Sequence, residues 1–227
     1  MNSVKTTLSR AYRLMYEGIC GRYPSLRPWH FQWLAGHYVC GRLKKMLPGF
    51  GGRILDVGCA DKPFRDWFGA VTEYVGLDVV PGPNVDVVVS SKERWPFPDG
   101  YFDVVFSTQV LEHAEHLGIT LSEIRRVLKK EGRAVLTFPF LYNEHGNPSD
   151  YRRFTVYGAE GLFPDFEIVC LEKQGGNWFD APPAFLELVE QLSSSQIAVA
   201  AMDTAFVVYE PFGDIDGSAR SYGRFLP

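Results

Sequence analysis

No apolar run in the 227 residues reaches the ~18 needed to suggest a membrane-spanning helix. The start, MNSVKTTLSRAYR, lacks the apolar core of a secretory signal, which predicts a cytoplasmic protein. Cysteine is scarce. Cys20, Cys40, Cys59 and Cys170 are scattered too widely for a disulfide framework or a zinc motif, so reduced thiols are expected. There is no internal repeat or low-complexity tract, and no dense basic-aromatic patch of the kind that binds nucleic acid. Glu112, His113, Glu115 and His116 share one short segment, but their spacing follows no metal-ligand motif, and no metal is expected.

Charge is present but unevenly placed. Residues 1–50 carry eight Lys/Arg against the single acid Glu17, whereas the rest carries 15 against 26. A basic N-terminal segment of this kind suits a helical cap on an acidic core, with contact to nucleic acid, anionic lipid or an anionic substrate as the functional alternative. Residues 6–20 and 28–46 read as helices, with Pro28 at a first helical position. Pro48 and the Gly49-Phe50-Gly51-Gly52 run then break the pattern. The expected organisation is a helical cap or lid over 1–50, a core domain over 51–212 and a flexible tail over 213–227.

Within 51–212 apolar strands alternate with helices. RILDVGC, TEYVGLDVV, NVDVVVS, FDVVFST, GRAVLTFPF, FEIVCLEKQGG and TAFVVYEP read as strands. A short helix opened by Pro63, one over about 119–130 ended by Gly132 as a C-cap, and one around 183–193 are expected between them. The strands are nearly continuous apolar runs, as parallel strands covered on both faces require. The alternation predicts an α/β, doubly wound, Rossmann-like sheet.

Ligands of such sheets bind beyond the carboxyl ends of the strands, so the turn after the first strand, ILDVGCADKPF at 54–64, is the place to look. A dinucleotide loop needs G-x-G-x-x-G, but here the second and third glycines are Ala60 and Pro63, and Asp61 would face the phosphates. That disfavours a nicotinamide oxidoreductase. A cationic ligand fits better. S-adenosyl-L-methionine carries a sulfonium, an ammonium and one carboxylate, and Asp56 stands where it can hold the ammonium. Gly58 and Ala60 keep the turn free of bulky side chains, with φ expected to stay negative at Ala60. Asp78 ends YVGLD 20 residues after Gly58, where an acid accepts hydrogen bonds from a ribose diol. The plainer reading of the loop is a strand-to-helix turn capped by Asp61.

WPFPDGYFDVVFSTQVLEH at 95–113 and EIRRVLKKEGRAVLTFPF at 123–140 bring in a family. Over roughly 53–175 the chain resembles class I S-adenosylmethionine-dependent methyltransferases of the large group carrying L-P-F-P-D-x-S-F-D and V-L-E-H. The resemblance implies seven strands in the order 3-2-1-4-5-7-6, with the seventh antiparallel. It implies that Asp56, Gly58, Cys59 and Ala60 line the methionine end of the cofactor, and that Asp78, with Val79 beside it, takes the ribose. It also implies that Thr108 and Gln109 close the site below. The family's adenine-binding Asp falls at Ser91 here, so that the hydroxyl of Ser90 or Ser91 accepts the same bond.

Methyl transfer is a displacement at a carbon already activated by the sulfonium, so alignment is the large term, and a base is needed only for a hydroxyl or protonated amine. FLYNEHGNPSDYRRFT follows the fifth strand and gathers Tyr142, Glu144, His145, Asp150, Tyr151 and Arg153. A similar pattern marks one branch of the family often found with bacterial cell-surface glycan synthesis. His145 is the candidate base, oriented by Asp150, with Arg153 for an anionic group. The alternative is a hydrogen-bonded loop with a structural Asp150–Arg153 salt bridge. His113 reads as a structural or cofactor-shelf residue. The expected activity is methyl transfer to a small molecule or a glycan or lipid-linked sugar, at O or N, with no nucleic-acid partner. The rival is a non-catalytic scaffold that binds the same cofactor.

Overall fold

The computed structural model describes residues 14, 15, 18, 33–140, 142, 144–146, 148–174 and 204–211. The expected helix over 183–193 and the tail over 213–227 lie outside them, as does most of the helix over 6–20, of which residues 14, 15 and 18 are helical.

The chain enters through helix α1 (Trp33–Met46), a 3-10 turn at Leu47–Gly49 and strand β1 (Gly52–Val57). There follow β2 (Val71–Asp78), β3 (Val87–Val88), β4 (Phe102–Thr108), α2 (Leu117–Val127), β5 (Leu128–Pro139), α3 (Val156–Glu160), β6 (Phe166–Gln174) and β7 (Thr204–Pro211). Among the described residues the strands form one seven-stranded sheet in the order β3-β2-β1-β4-β5-β7-β6. β1 is parallel to β2 and β4, β4 to β5 and β2 to β3, while β7 runs antiparallel to β5 and β6. The order and the antiparallel strand are those the family resemblance implies.

The alternation of side chains along each strand builds two cores. Ile54, Val104, Phe106 and Val135 pack on one face with Val39, Leu43, Leu47, Phe50 and Phe68. Leu55, Val105, Ala134 and Leu136 pack on the other with Leu121, Ile124 and Val127 of α2 and with Phe154 and Phe163. Strands buried on both faces have no reason to alternate apolar with polar residues, and they read as continuous apolar runs. The break expected at residue 50 therefore does not coincide with a gap in packing: α1 from Val39 onward is a layer of the sheet's own core.

Some local expectations change. Only a 3-10 turn, Arg65–Trp67, follows Pro63, in a connection of 13 residues between β1 and β2. It starts at Phe64 with no side-chain cap, and Phe64 and Phe68 set their rings edge-on against Phe106. Gly132 is not a helix cap. α2 ends at Val127 and β5 begins at the next residue, so Gly132 lies inside the strand. A side chain there would come within 2.8 Å of Leu128 Cδ1 and 3.0 Å of the Asp103 carbonyl, which is why glycine is needed. The third strand shortens to two residues. α3 was not expected; Thr155 caps it by accepting the Gly158 N–H at 3.0 Å.

Candidate functional site

The loop after β1 is shaped by backbone first. Gly58 has φ +74, and the Gly58 and Cys59 N–H groups both donate to the Leu77 carbonyl, at 2.8 and 3.2 Å. A Cβ at Gly58 would sit 2.3 Å from Val110 Cγ2, so no side chain fits. Ala60 corrects an expectation: its φ is +43, in the left-handed region. The reason is a tether, since Ala60 N donates to Asp78 Oδ2 at 3.1 Å. The non-glycine residues with positive φ among those described are Ala60, Lys62 and Gln109, two of them in this loop and one just after β4. Strain concentrated in this way is maintained by the surrounding structure and marks functional sites.

Asp78 and Asp56 have different surroundings. Asp78, at the end of β2, accepts from Ala60 N and, through Oδ1, from Val80 N at 3.0 Å, and stays half-buried. Val79 and Val80 beside it are 59% and 64% exposed, an open apolar step at the carboxyl edge. Asp56 is 2% exposed and accepts the Tyr74 hydroxyl at 2.7 Å. Burial pushes its carboxyl up to about 7, against the pull of the Tyr74 hydrogen bond and the Lys62 charge. It therefore lies beneath the loop and not on its open side. Asp61 does not cap a helix; it accepts from Asn84 Nδ2 at 3.4 Å. Nothing in the local spacing announces Tyr74, or Lys62, which pairs with Asp86 while Asp86 accepts the Gly76 N–H at 2.6 Å. Gly76 is the one mark of this contact: a Cβ there would meet Lys62 Cε at 2.3 Å and Cys59 Sγ at 2.6 Å.

Thr108 and Gln109 close the edge between β4 and β5. The Thr108 and Thr137 hydroxyls are 2.7 Å apart, and Gln109 reaches Thr137 with its side-chain amide at 3.1 Å and its backbone N–H at 3.2 Å. Ser91 is half-buried in the turn after β3. Gly58, Cys59, Ala60, Asp78, Val79, Thr108 and Gln109 thus share the carboxyl edge of β1, β2 and β4.

His145 is the residue whose surroundings the sequence hid. Its backbone N–H donates to Asp150 Oδ2 at 2.9 Å and its Nδ1 lies 3.4 Å from the same oxygen. Asp150 has a buried carboxylate gripped by both Arg153 amino groups, which hold its carboxyl well below the usual range. The Asp150–Arg153 salt bridge is present, and it orients His145. The expected base is not alone, however: His145 Nε2 is 3.1 Å from His113 Nε2, and the rings meet edge to face at 4.7 Å. His113 Nδ1 lies 2.5 Å from the Ser149 carbonyl. Glu112, the residue before His113, is fully buried, and neither of its carboxylate oxygens has a hydrogen-bond partner among the described residues. The pairing spans 32 residues and leaves no local spacing to read.

Comparison with known proteins agrees with this geometry. Residues 55–136 match the methyltransferase domain family. A ubiquinone/menaquinone biosynthesis C-methyltransferase, UbiE, of Paraburkholderia xenovorans is 50% identical over 76 residues, 33% of this chain and 31% of its own length. The chain thus matches only about a third of that relative. A SAM-dependent methyltransferase from Archaeoglobus fulgidus superposes with a TM-score of 0.55 at 18% identity, over 88% of this chain and 99% of that one. The [4+2]-cyclase SpnF superposes with a TM-score of 0.57 at 19% identity, over 83% and 85%. Residues 55–136 thus match the methyltransferase domain family, within a sheet whose order is the one the resemblance to class I methyltransferases implies.

Proposed function

We propose that the protein transfers a methyl group from S-adenosylmethionine to a small-molecule or glycan-type acceptor, at oxygen or nitrogen. The observation that carries this reading is the tether of Ala60 N to Asp78, which draws the strained loop onto the β2 end. It leaves a backbone floor without bulky side chains, an acid at ribose height and the exposed Val79 as an apolar step for the adenine. Ser91 stands on the adenine side, and Gly58, Cys59 and Ala60 on the methionine side, with Asp56 buried beneath. Thr108 and Gln109 shut the lower edge.

His145 acts on the acceptor. It follows the carboxyl end of β5, held by Asp150, and governs turnover more than cofactor affinity. The N-terminal segment, basic and rich in aromatic residues, serves as a lid over this edge. The likeness to quinone C-methyltransferases favours carbon as a second possible target atom, but it covers a third of the chain, so the acceptor is argued from the residues around His145. The second reading is a non-catalytic scaffold of this fold that binds the same cofactor; a [4+2]-cyclase shares the fold, so the fold alone does not decide between them. The test is ligand-induced stabilisation: S-adenosylhomocysteine should raise the melting temperature and NAD should not. Stabilisation by NAD, with none by S-adenosylhomocysteine, would overturn the assignment.

A further inference from the structure

Glu112, His113 and His145 place a carboxylate oxygen and two imidazole nitrogens all within 4.8 Å of one another. Each histidine is fixed from behind. The Ser149 carbonyl can only accept, so the hydrogen it receives sits on His113 Nδ1 and directs the Nε2 lone pair forward. At His145, Asp150 Oδ2 accepts the backbone N–H and lies 3.4 Å from Nδ1, and Arg153 anchors Asp150 in turn. A carbonyl or carboxylate behind each imidazole is the supporting shell found around metal-bound histidine.

The two Nε2 atoms face each other at 3.1 Å. Two nitrogens bound at ~2.0–2.1 Å to one ion, with angles between 90° and tetrahedral, stand about 2.9–3.4 Å apart. Glu112 Oε1 lies 3.8 Å from His113 Nε2, a few tenths of an ångström beyond that range. The Glu112 carboxylate is fully buried with both oxygens unpartnered among the described residues, a cost that proteins offset with a proton or a cation. His113 and His145 keep 27% and 36% of their side-chain surface exposed, which leaves a path for an ion.

We propose that Glu112, His113 and His145 form a binding site for one first-row divalent metal ion of the zinc class. Two imidazoles and one carboxylate suit such ions better than magnesium or calcium, which prefer oxygen. Three protein ligands leave at least one coordination position open at the carboxyl edge. Val110, which touches the space above Gly58, lies two residues before Glu112, so the ion would sit beside the cofactor loop. Its open position then faces an oxygen of the acceptor, a step that rests on the methyltransferase reading, whereas the binding itself does not.

The experiment uses the full chain, free of any affinity tag and stripped with chelator, titrated with Zn²⁺ by calorimetry and with Co²⁺ by its visible d–d absorption. S-adenosylhomocysteine binding is measured on the same preparation. The expected result is about one ion per chain, with affinity falling 100-fold or more in His113→Ala and in His145→Ala, and the Co²⁺ spectrum changing in Glu112→Gln. Absence of stoichiometric binding to the wild type, or binding that survives His113→Ala/His145→Ala unchanged, overturns the site. Cofactor binding without metal binding defeats only this inference, and metal binding without cofactor binding defeats only the methyltransferase reading. Should an alanine variant unfold, wild-type stoichiometry and the near-isosteric Glu112→Gln spectrum decide.

Discussion

Replacing Gly58 by alanine tests whether the loop is as tightly built as its geometry says. The new Cβ would stand 2.3 Å from Val110 Cγ2 and 2.8 Å from Cγ1, where carbon atoms prefer ~3.5–4.0 Å. Valine is stiff about its one side-chain torsion, so the clash cannot be relieved by bending a long chain. Forcing an extra methyl into a filled space costs ~1–3 kcal/mol. Alanine at φ +74 adds ~1–2 kcal/mol of backbone strain. Gly58→Ala should therefore lose about 2–5 kcal/mol in urea unfolding, and weaken S-adenosylhomocysteine at least tenfold as the loop shifts. Val110→Ala removes both Cγ atoms, so in a double-mutant cycle the two substitutions should couple favourably by about 1–3 kcal/mol, leaving the φ strain. Stability of Gly58→Ala within about 0.5 kcal/mol of wild type, or a coupling near zero, would refute the argument.

Three further outcomes are expected. Asp78→Ala deletes an acceptor used by Ala60 N and Val80 N, and should weaken S-adenosylhomocysteine by ~2–4 kcal/mol in calorimetry, since bonds to a charged group are worth ~1.5–3 each and do not add fully; unchanged affinity removes Asp78 from the site. Asp56 has its carboxyl raised to about 7 from an ordinary 3.8, so its contribution to stability is intact below about pH 4 and is lost as pH climbs to 7, a change of about 4 kcal/mol. Asp56→Asn should flatten that slope in unfolding curves measured from pH 4 to 8, and an identical slope in the variant would show that Asp56 does not titrate there. His145→Ala should lower turnover by ~10²–10⁴-fold while S-adenosylhomocysteine affinity stays within about threefold; a rate within threefold of wild type would mean that alignment alone carries the reaction.

The sequence by itself determined the sheet and the place of the loop. Strands covered on both faces must be apolar throughout, so RILDV, FDVVF and AVLTF announce themselves without partners, and the glycine after Asp56 marks where the chain leaves the sheet. Asp78 was legible for a similar reason, because a strand of fixed length ends at a predictable edge. Tertiary structure decided what depends on which distant group arrives. Ala60 takes a positive φ because Asp78 reaches its N–H from 18 residues away, and no local preference of alanine foretells that. Gly132 is required by the approach of Asp103 and Leu128, not by a helix end. Asp56 is buried under the loop because Tyr74 supplies its hydrogen bond from the neighbouring strand. His113 and His145 meet because the turn after β4 and the loop after β5 converge on adjacent parallel strands, which share a carboxyl edge however far apart they lie in the chain. Periodicity reports which face a residue occupies; it carries no record of the side chain that will face it.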